Sequence, residues 1–241
     1  TLVLLHGGPG EDHSMFKPVF SVLAEAAQLV YLDLRGNGRS EAGARADWTL
    51  AQWGDDVRAL CEALGIVRPV VLGLSWGGFV AQAYATRHPG HAAGLILEST
   101  AARWPAAAEM PALLAAQHDL AARIAAGRWD GGIVERPGLA GDAARRADPD
   151  VAARFVRHAA VAAHFFNGEA KTMDFRPALH RVRGRVLVLA GDHDQTLPLP
   201  LALEMAAALP AETHVFHGCD HGVHADAPGR TMEVIRGFIG M

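Results

Sequence analysis

Cysteine is scarce in this chain: Cys61 and Cys219 are its two copies in 241 residues, and their spacing follows no pattern. A disulfide scaffold is therefore excluded, and both thiols are expected to be reduced. No apolar run approaches the ~18 residues of a membrane span. No signal-peptide pattern is present either. Basic stripes are missing, since 22 Lys and Arg against 26 Asp and Glu leave a net charge of −4. Nothing here resembles a nucleic-acid footprint. Internal repeats and disordered low-complexity tracts are absent. Together these absences point to a cytoplasmic protein without nucleic-acid or membrane partners, and they leave its oligomeric state open. Half the residues are apolar, and 241 residues suit one domain with a large core and an insertion.

The informative presence is Val70-Val71-Leu72-Gly73-Leu74-Ser75-Trp76-Gly77-Gly78. An apolar run enters Gly-x-Ser-x-Gly, and a helical period follows at once. In that context Ser75 is the tip of a sharp strand-to-helix turn, the nucleophile elbow. Without Cβ atoms, Gly73 and Gly77 let strand and helix pack closely. The start of the helix favours developing negative charge beside the Ser75 hydroxyl.

A serine hydroxyl needs a base to take its proton, and in folds with this elbow the order is Ser, acid, His. Downstream, a buried-strand pattern runs into Gly191-Asp192-His193-Asp194-Gln195-Thr196-Leu197-Pro198. A second strand pattern leads into Gly218-Cys219-Asp220-His221-Gly222-Val223-His224. Both clusters fall just past strand ends, where parallel sheets gather catalytic groups. Asp192 and Asp194 compete for the acid role, and His221 and His224 for the base. His217, His221 and His224 are close enough in sequence to raise a metal site, which would need convergent geometry. No metal and no cofactor are expected.

Apolar runs alternate with helical periods, the βα signature of a parallel sheet. Strands are expected at Leu2–Leu5, Leu29–Leu32 and Val70–Leu74, then at 95–98, 185–190 and 213–217. Helices are expected near 16–26, 50–64, 77–88, 200–209 and 228–239. Thr49 could cap the second of these, with Gln52 as its capping-box partner. Residues 100–184 break the alternation. They are Ala-rich, strand-poor and helical in period over 106–126 and 150–166, which reads as a lid roofing the site. The expected division is a core of 1–99 and 185–241 with a helical lid between.

These motifs resemble the α/β-hydrolase superfamily. His6-Gly7-Gly8-Pro9-Gly10 and Asp33-Leu34-Arg35-Gly36-Asn37-Gly38-Arg39-Ser40 resemble its proline iminopeptidase-like branch. The resemblance runs from Leu2 to about Ile239, apart from the middle. Gly191-x-x-Asp194-x-x-x-Pro198 selects Asp194 as the acid. His221-Gly-Val-His224-Ala-Asp226-Ala-Pro228 selects His221 as the base, with Asp226 where the branch carries Glu. Family members usually carry two strands before the first strand seen here, and they are expected to be absent from this sequence, either because it begins inside a longer gene product or because the sheet is shortened.

The resemblance implies a serine hydrolase acting on a small ester or amide, or a short peptide, through an acyl-enzyme. Its oxyanion donors would be the backbone N–H groups of Gly8 and Trp76. A carboxylesterase or lactonase is the close rival; a non-catalytic receptor or a C–C bond hydrolase is more distant. Arg35 and Asp33 are expected to tie down the glycine turn. An aminopeptidase would need lid carboxylates for a cationic amine, and Glu169 and Asp174 are the nominees. Phe165, Phe166 and Trp104 are candidate pocket walls.

Overall fold

The computed structural model describes residues 1–136 and 153–240. Seven strands form one sheet in the order β2–β1–β3–β4–β6–β7–β5. They are β1 (Leu2–Leu5), β2 (Leu29–Leu32), β3 (Val70–Leu74), β4 (Gly94–Glu98), β5 (Ile133–Glu135), β6 (Arg185–Gly191) and β7 (Ala211–Phe216). Every pairing between these strands is parallel. The α-helices among the described residues are α1 (Leu50–Ala63), α2 (Trp76–Arg87), α3 (Met110–Ala125), α4 (Ala159–Asn167), α5 (Leu199–Ala207), α6 (Val223–Asp226) and α7 (Pro228–Gly240). None is long and apolar enough to cross a membrane.

The central strands are buried on both faces, as a parallel sheet between two helical layers requires. Alternate residues supply separate cores. Val3, Leu5, Val71, Leu95, Leu97, Val186 and Val188 join one. Leu2, Leu4, Leu72, Ile96, Leu187 and Leu189 join the other. The first core takes Trp53 and Val57 of α1 and Phe79 and Val80 of α2, while the second takes Met232 and Ile235 of α7. Each such side chain contributes about 1.5–3 kcal/mol on burial.

Three features differ from the sequence expectation. The helix expected over 16–26 is instead two 3₁₀ segments, His13–Phe16 and Val19–Glu25. Pro18 accounts for this, because the residue before a proline is driven out of the helical region, and Lys17 is extended at φ −98°, ψ 144°. The strand-poor segment expected to form a helical lid contributes one short strand, β5, to the sheet edge, pairing Ile133 with His214 and Glu135 with Phe216. Three residues are too few for a strand period to register. Finally, Thr49 Oγ1 accepts from Gln52 N–H at 3.1 Å, but the Gln52 side chain donates to Asp56 rather than returning to the cap. Of the helix expected over 150–166, residues 150–152 lie outside the described residues, 155–158 are not helical, and α4 begins only at Ala159.

Helices α1 and α2 approach so closely that a Cβ on Gly54 would sit 2.7 Å from the Tyr84 backbone nitrogen. Gly54→Ala should therefore lower stability by about 1–3 kcal/mol, measured as a fall in the urea midpoint with an unchanged slope.

Candidate active site

The ends of β3, β4 and β6 lie level, with Leu74 opposite Glu98 and Glu98 opposite Leu189. Ser75 follows β3 directly at φ 52°, ψ −118°. That conformation costs a non-glycine residue about 1–3 kcal/mol and persists only where the surroundings impose it. Here a Cβ on Gly73 would overlap the Gly77 carbonyl, and one on Gly77 would overlap that of Leu5. The Ser75 N–H donates to the Glu98 carbonyl at 2.9 Å, and Thr100 Oγ1 donates to the Ser75 carbonyl at 2.8 Å.

His221, in the loop after β7, brings Nε2 to 2.8 Å from Ser75 Oγ. Its Nδ1 lies 2.7 Å from Asp194 Oδ2. A carboxylate at Nδ1 assigns the hydrogen to that nitrogen and leaves Nε2 to accept from the hydroxyl. Burial disfavours the charged imidazole, but the hydrogen bond and charge of Asp194, with Asp220 and Glu98 behind it, raise the His221 pKa. The other Asp194 oxygen accepts from the N–H groups of Thr196 and Leu197, each at 2.8 Å.

Geometry separates the competing residues. Asp192 is buried, and its oxygens accept from Gly218 N–H at 2.7 Å and meet Nδ1 of His217 and of His193. It staples two turns together and does not touch His221. His224 points away from Ser75 and pairs through Nδ1 with Glu98 at 2.6 Å. Strand β7 ends at Phe216, so His217, expected as the last residue of that strand, lies in the turn that follows. No group of three or more His, Cys, Asp or Glu among the described residues could hold a metal ion.

The loop after β1 lies against Ser75: a Cβ on Gly7 would be 3.4 Å from Ser75 Cβ. Gly7 N–H donates to the Met15 sulfur at 3.1 Å. Gly8 follows in this loop, and Trp76 opens α2, where a backbone N–H has no helical carbonyl four residues earlier. In the glycine turn, Asp33 accepts from the His13 and Arg39 N–H groups. Arg35 forms a two-point bond with Asp56.

The lid candidates scatter. Phe165 is buried, its ring 6.1 Å from Trp76 and 6.5 Å from Phe79. Trp104, Phe166 and Asp174 line a lid cavity of about 510 Å³ whose walls do not include Ser75, Asp194 or His221. Asp174 is bound by Arg176 at 2.7 Å. Glu169 accepts from Leu50 N–H at 2.8 Å, capping α1 from the lid, and burial raises its pKa.

Sequence reasoning missed two supports. Gln117 of α3 donates to the Asp194 carbonyl at 3.0 Å and accepts from Leu199 N–H at 2.6 Å. The available signal was a polar residue at helical spacing with Ala121 and Ile124, the other buried positions of α3. Asp12, also buried, accepts from Val156 N–H at 2.8 Å and Arg39 Nη1 at 2.9 Å, joining the lid to the loop after β1.

The model of the alpha/beta hydrolase fold family matches residues 1–228. The chain is 37% identical over 101 residues to the proline iminopeptidase of Clostridium botulinum, a stretch covering 41% of this chain but 34% of that protein. It is 28% identical to the 2-hydroxymuconate semialdehyde hydrolase of Pseudomonas sp. (strain CF600), covering 99% of this chain and 86% of that one. An esterase of Thermogutta terrifontis superposes with a TM-score of 0.71 at 27% identity, covering 99% and 88%.

The two aspartates should separate in solution. Asp194→Asn should abolish the downfield Nδ1 proton resonance of His221, whereas Asp192→Asn should leave it in place. Asp192→Asn should instead lower the unfolding free energy by about 1–3 kcal/mol, measured by urea denaturation.

Proposed function

The chain belongs to the alpha/beta hydrolase fold family, and we propose that it is a serine hydrolase cleaving a small neutral carboxylic ester through an acyl-enzyme. One observation carries this reading: Nε2 of His221 faces Ser75 Oγ while Nδ1 faces Asp194, at 2.8 and 2.7 Å. In the reaction, Ser75 Oγ bonds to the ester carbonyl carbon as His221 Nε2 takes the hydroxyl proton. Asp194 holds the ring in the needed tautomer and stabilises its charged form. The N–H groups of Gly8 and Trp76 receive the oxyanion. His221 then gives its proton to the leaving alcohol. A water attacks the acyl-enzyme by the same steps, with His221 taking its proton and returning it to Ser75.

The preference for a neutral acyl group rests on the lid. A buried ammonium would need an available carboxylate or carbonyl, and the two nominated carboxylates are engaged, Glu169 by Leu50 N–H and Asp174 by Arg176. Phe165 instead packs its buried ring against Trp76, the residue after Ser75, and against Phe79, an apolar cluster beside the elbow. The second reading, a prolyl aminopeptidase, is favoured by the 37% identity with the Clostridium enzyme.

A fluorophosphonate probe should label Ser75, and Ser75→Ala should abolish both labelling and ester turnover. Labelling of wild-type protein at another residue would overturn the mechanism. Short-chain p-nitrophenyl esters should be cleaved, with prolyl arylamide inert; cleavage of the arylamide alone would establish the second reading. Asp194→Asn should reduce turnover by about 10⁴-fold.

Activity should also depend on pH in a fixed direction. The base must be neutral to work, and its folded pKa lies above the ordinary His value. The kcat/KM profile should therefore fall as pH drops, with its acid limb centred above about 6.5.

A further inference from the structure

Residues 98–100 at the end of β4 touch both moving parts of the proposed machinery. The Glu98 carbonyl accepts from Ser75 N–H, and Thr100 Oγ1 donates to the Ser75 carbonyl. Ser99 Oγ accepts at 3.0 Å from the N–H of Gly222, the residue after His221. Glu98 Oε1 accepts from His224 N–H at 3.0 Å and meets His224 Nδ1 at 2.6 Å. One strand end thus fixes the serine turn on one side and the histidine loop on the other.

The Glu98–His224 pair is chemically out of place for a simple packing contact. Both residues are at most 1% exposed. The Phe16 and Phe20 rings stand 6.0 and 5.2 Å from the His224 ring. His224 Nε2 finds no hydrogen-bond partner among the described residues. Desolvating an ionisable pair is expensive, and well-packed apolar residues often replace such pairs without loss. Loop anchoring alone does not require a carboxylate in this position.

We infer that Glu98 is a positioning residue for the His221 base, acting through His224 to hold the 221–224 loop against Ser75. The inference rests on the serine-hydrolase reading and adds a second buried carboxylate to it. The charged groups acting on His221 are Asp194 from the turn after β6, Asp220 of its own loop and Glu98 from β4. Glu98 differs from the others in serving both loops from one rigid strand. It is also among the charges favouring a protonated His221, and it helps, behind burial and the charges of Asp226 and Asp192, to push the neighbouring Cys219 thiol up to about 12.

Glu98→Gln keeps the shape and an oxygen that can accept from His224, but removes the charge. The test follows two readouts against pH: the rate of fluorophosphonate labelling at Ser75, and the His221 ring signals by NMR, assigned with His221→Gln. In Glu98→Gln both midpoints should move to lower pH by about 0.5 unit or more, because an anion that favours the imidazolium is gone. Glu98→Ala should also slow labelling at high pH by about tenfold or more, as the loop loses its anchor. Even if Glu98→Ala fails to fold, the isosteric variant carries the test. A probe-reactive wild-type protein whose Glu98→Gln profiles superimpose on its own overturns the positioning role alone. A wild-type protein inert to the probe overturns the serine-hydrolase reading beneath it.

Discussion

The hydrogen bond from Ser75 N–H to the Glu98 carbonyl depends on a constraint set far from any chemistry, the register of β3 against β4. Val70 pairs with Gly94 and Leu74 with Glu98, without a bulge between. A slip of one residue would displace Ser75 by about 3.3 Å along the sheet. A misplacement of 1 Å is enough to cost a reaction about 10²-fold. The register is held because the strands are buried on both faces, so a slip would move apolar side chains from one core to the other. Leu72 belongs to one core and Val71 to the opposite one. The geometry of the proposed triad is thus a consequence of core packing, carried to the end of the sheet by stiff strands.

At that end the same chemical pairing recurs. Asp194 meets His221, Asp192 meets His217 and His193, and Glu98 meets His224. Each buried carboxylate offsets part of its desolvation with an imidazole and with backbone N–H donors. What distinguishes the first pair is the other nitrogen. His221 turns Nε2 to a serine hydroxyl, whereas His224 turns its own into the aromatic core. Proximity of carboxylate and imidazole is therefore common here; a nucleophile beyond the imidazole is what makes a pair reactive.

That distinction explains how much could be read from the amino-acid sequence. Ser75 was legible because the signal is local, a strand period, two glycines and a helix period within nine residues. The parallel sheet was legible because apolar runs alternate with helical ones along the chain. Asp194 against Asp192 was not separable by residue type, since both sit in one turn after β6 and both accept several hydrogen bonds. Gln117 and Glu98 were out of reach for another reason. Gln117 meets Asp194 across 77 residues and Glu98 meets His224 across 126, and no local period records contacts at such separations. The 16–26 helix failed where a local rule was outweighed by another, the apolar period yielding to Pro18.

The lid is where these two kinds of information meet. It was identified by negation, as the segment where βα alternation stops, and its contacts with the core are all long-range. They do not fall at random. Gln117 grips the turn that carries Asp194, while Val156 and His158 bond to Asp12, Gly10 and Gly38 around the loop after β1. Glu169 caps α1, whose Trp53 ring stacks edge-on at 4.7 Å against Trp76. The described lid residues thus reach the proposed acid, the proposed oxyanion loop and the helix beside the elbow by three separate routes. A segment attached in this way helps to hold the parts of the proposed site in place. On the proposed reading, substitutions in it would shift Asp194 or the loop after β1 as well as any substrate contact, so rate and specificity would change together.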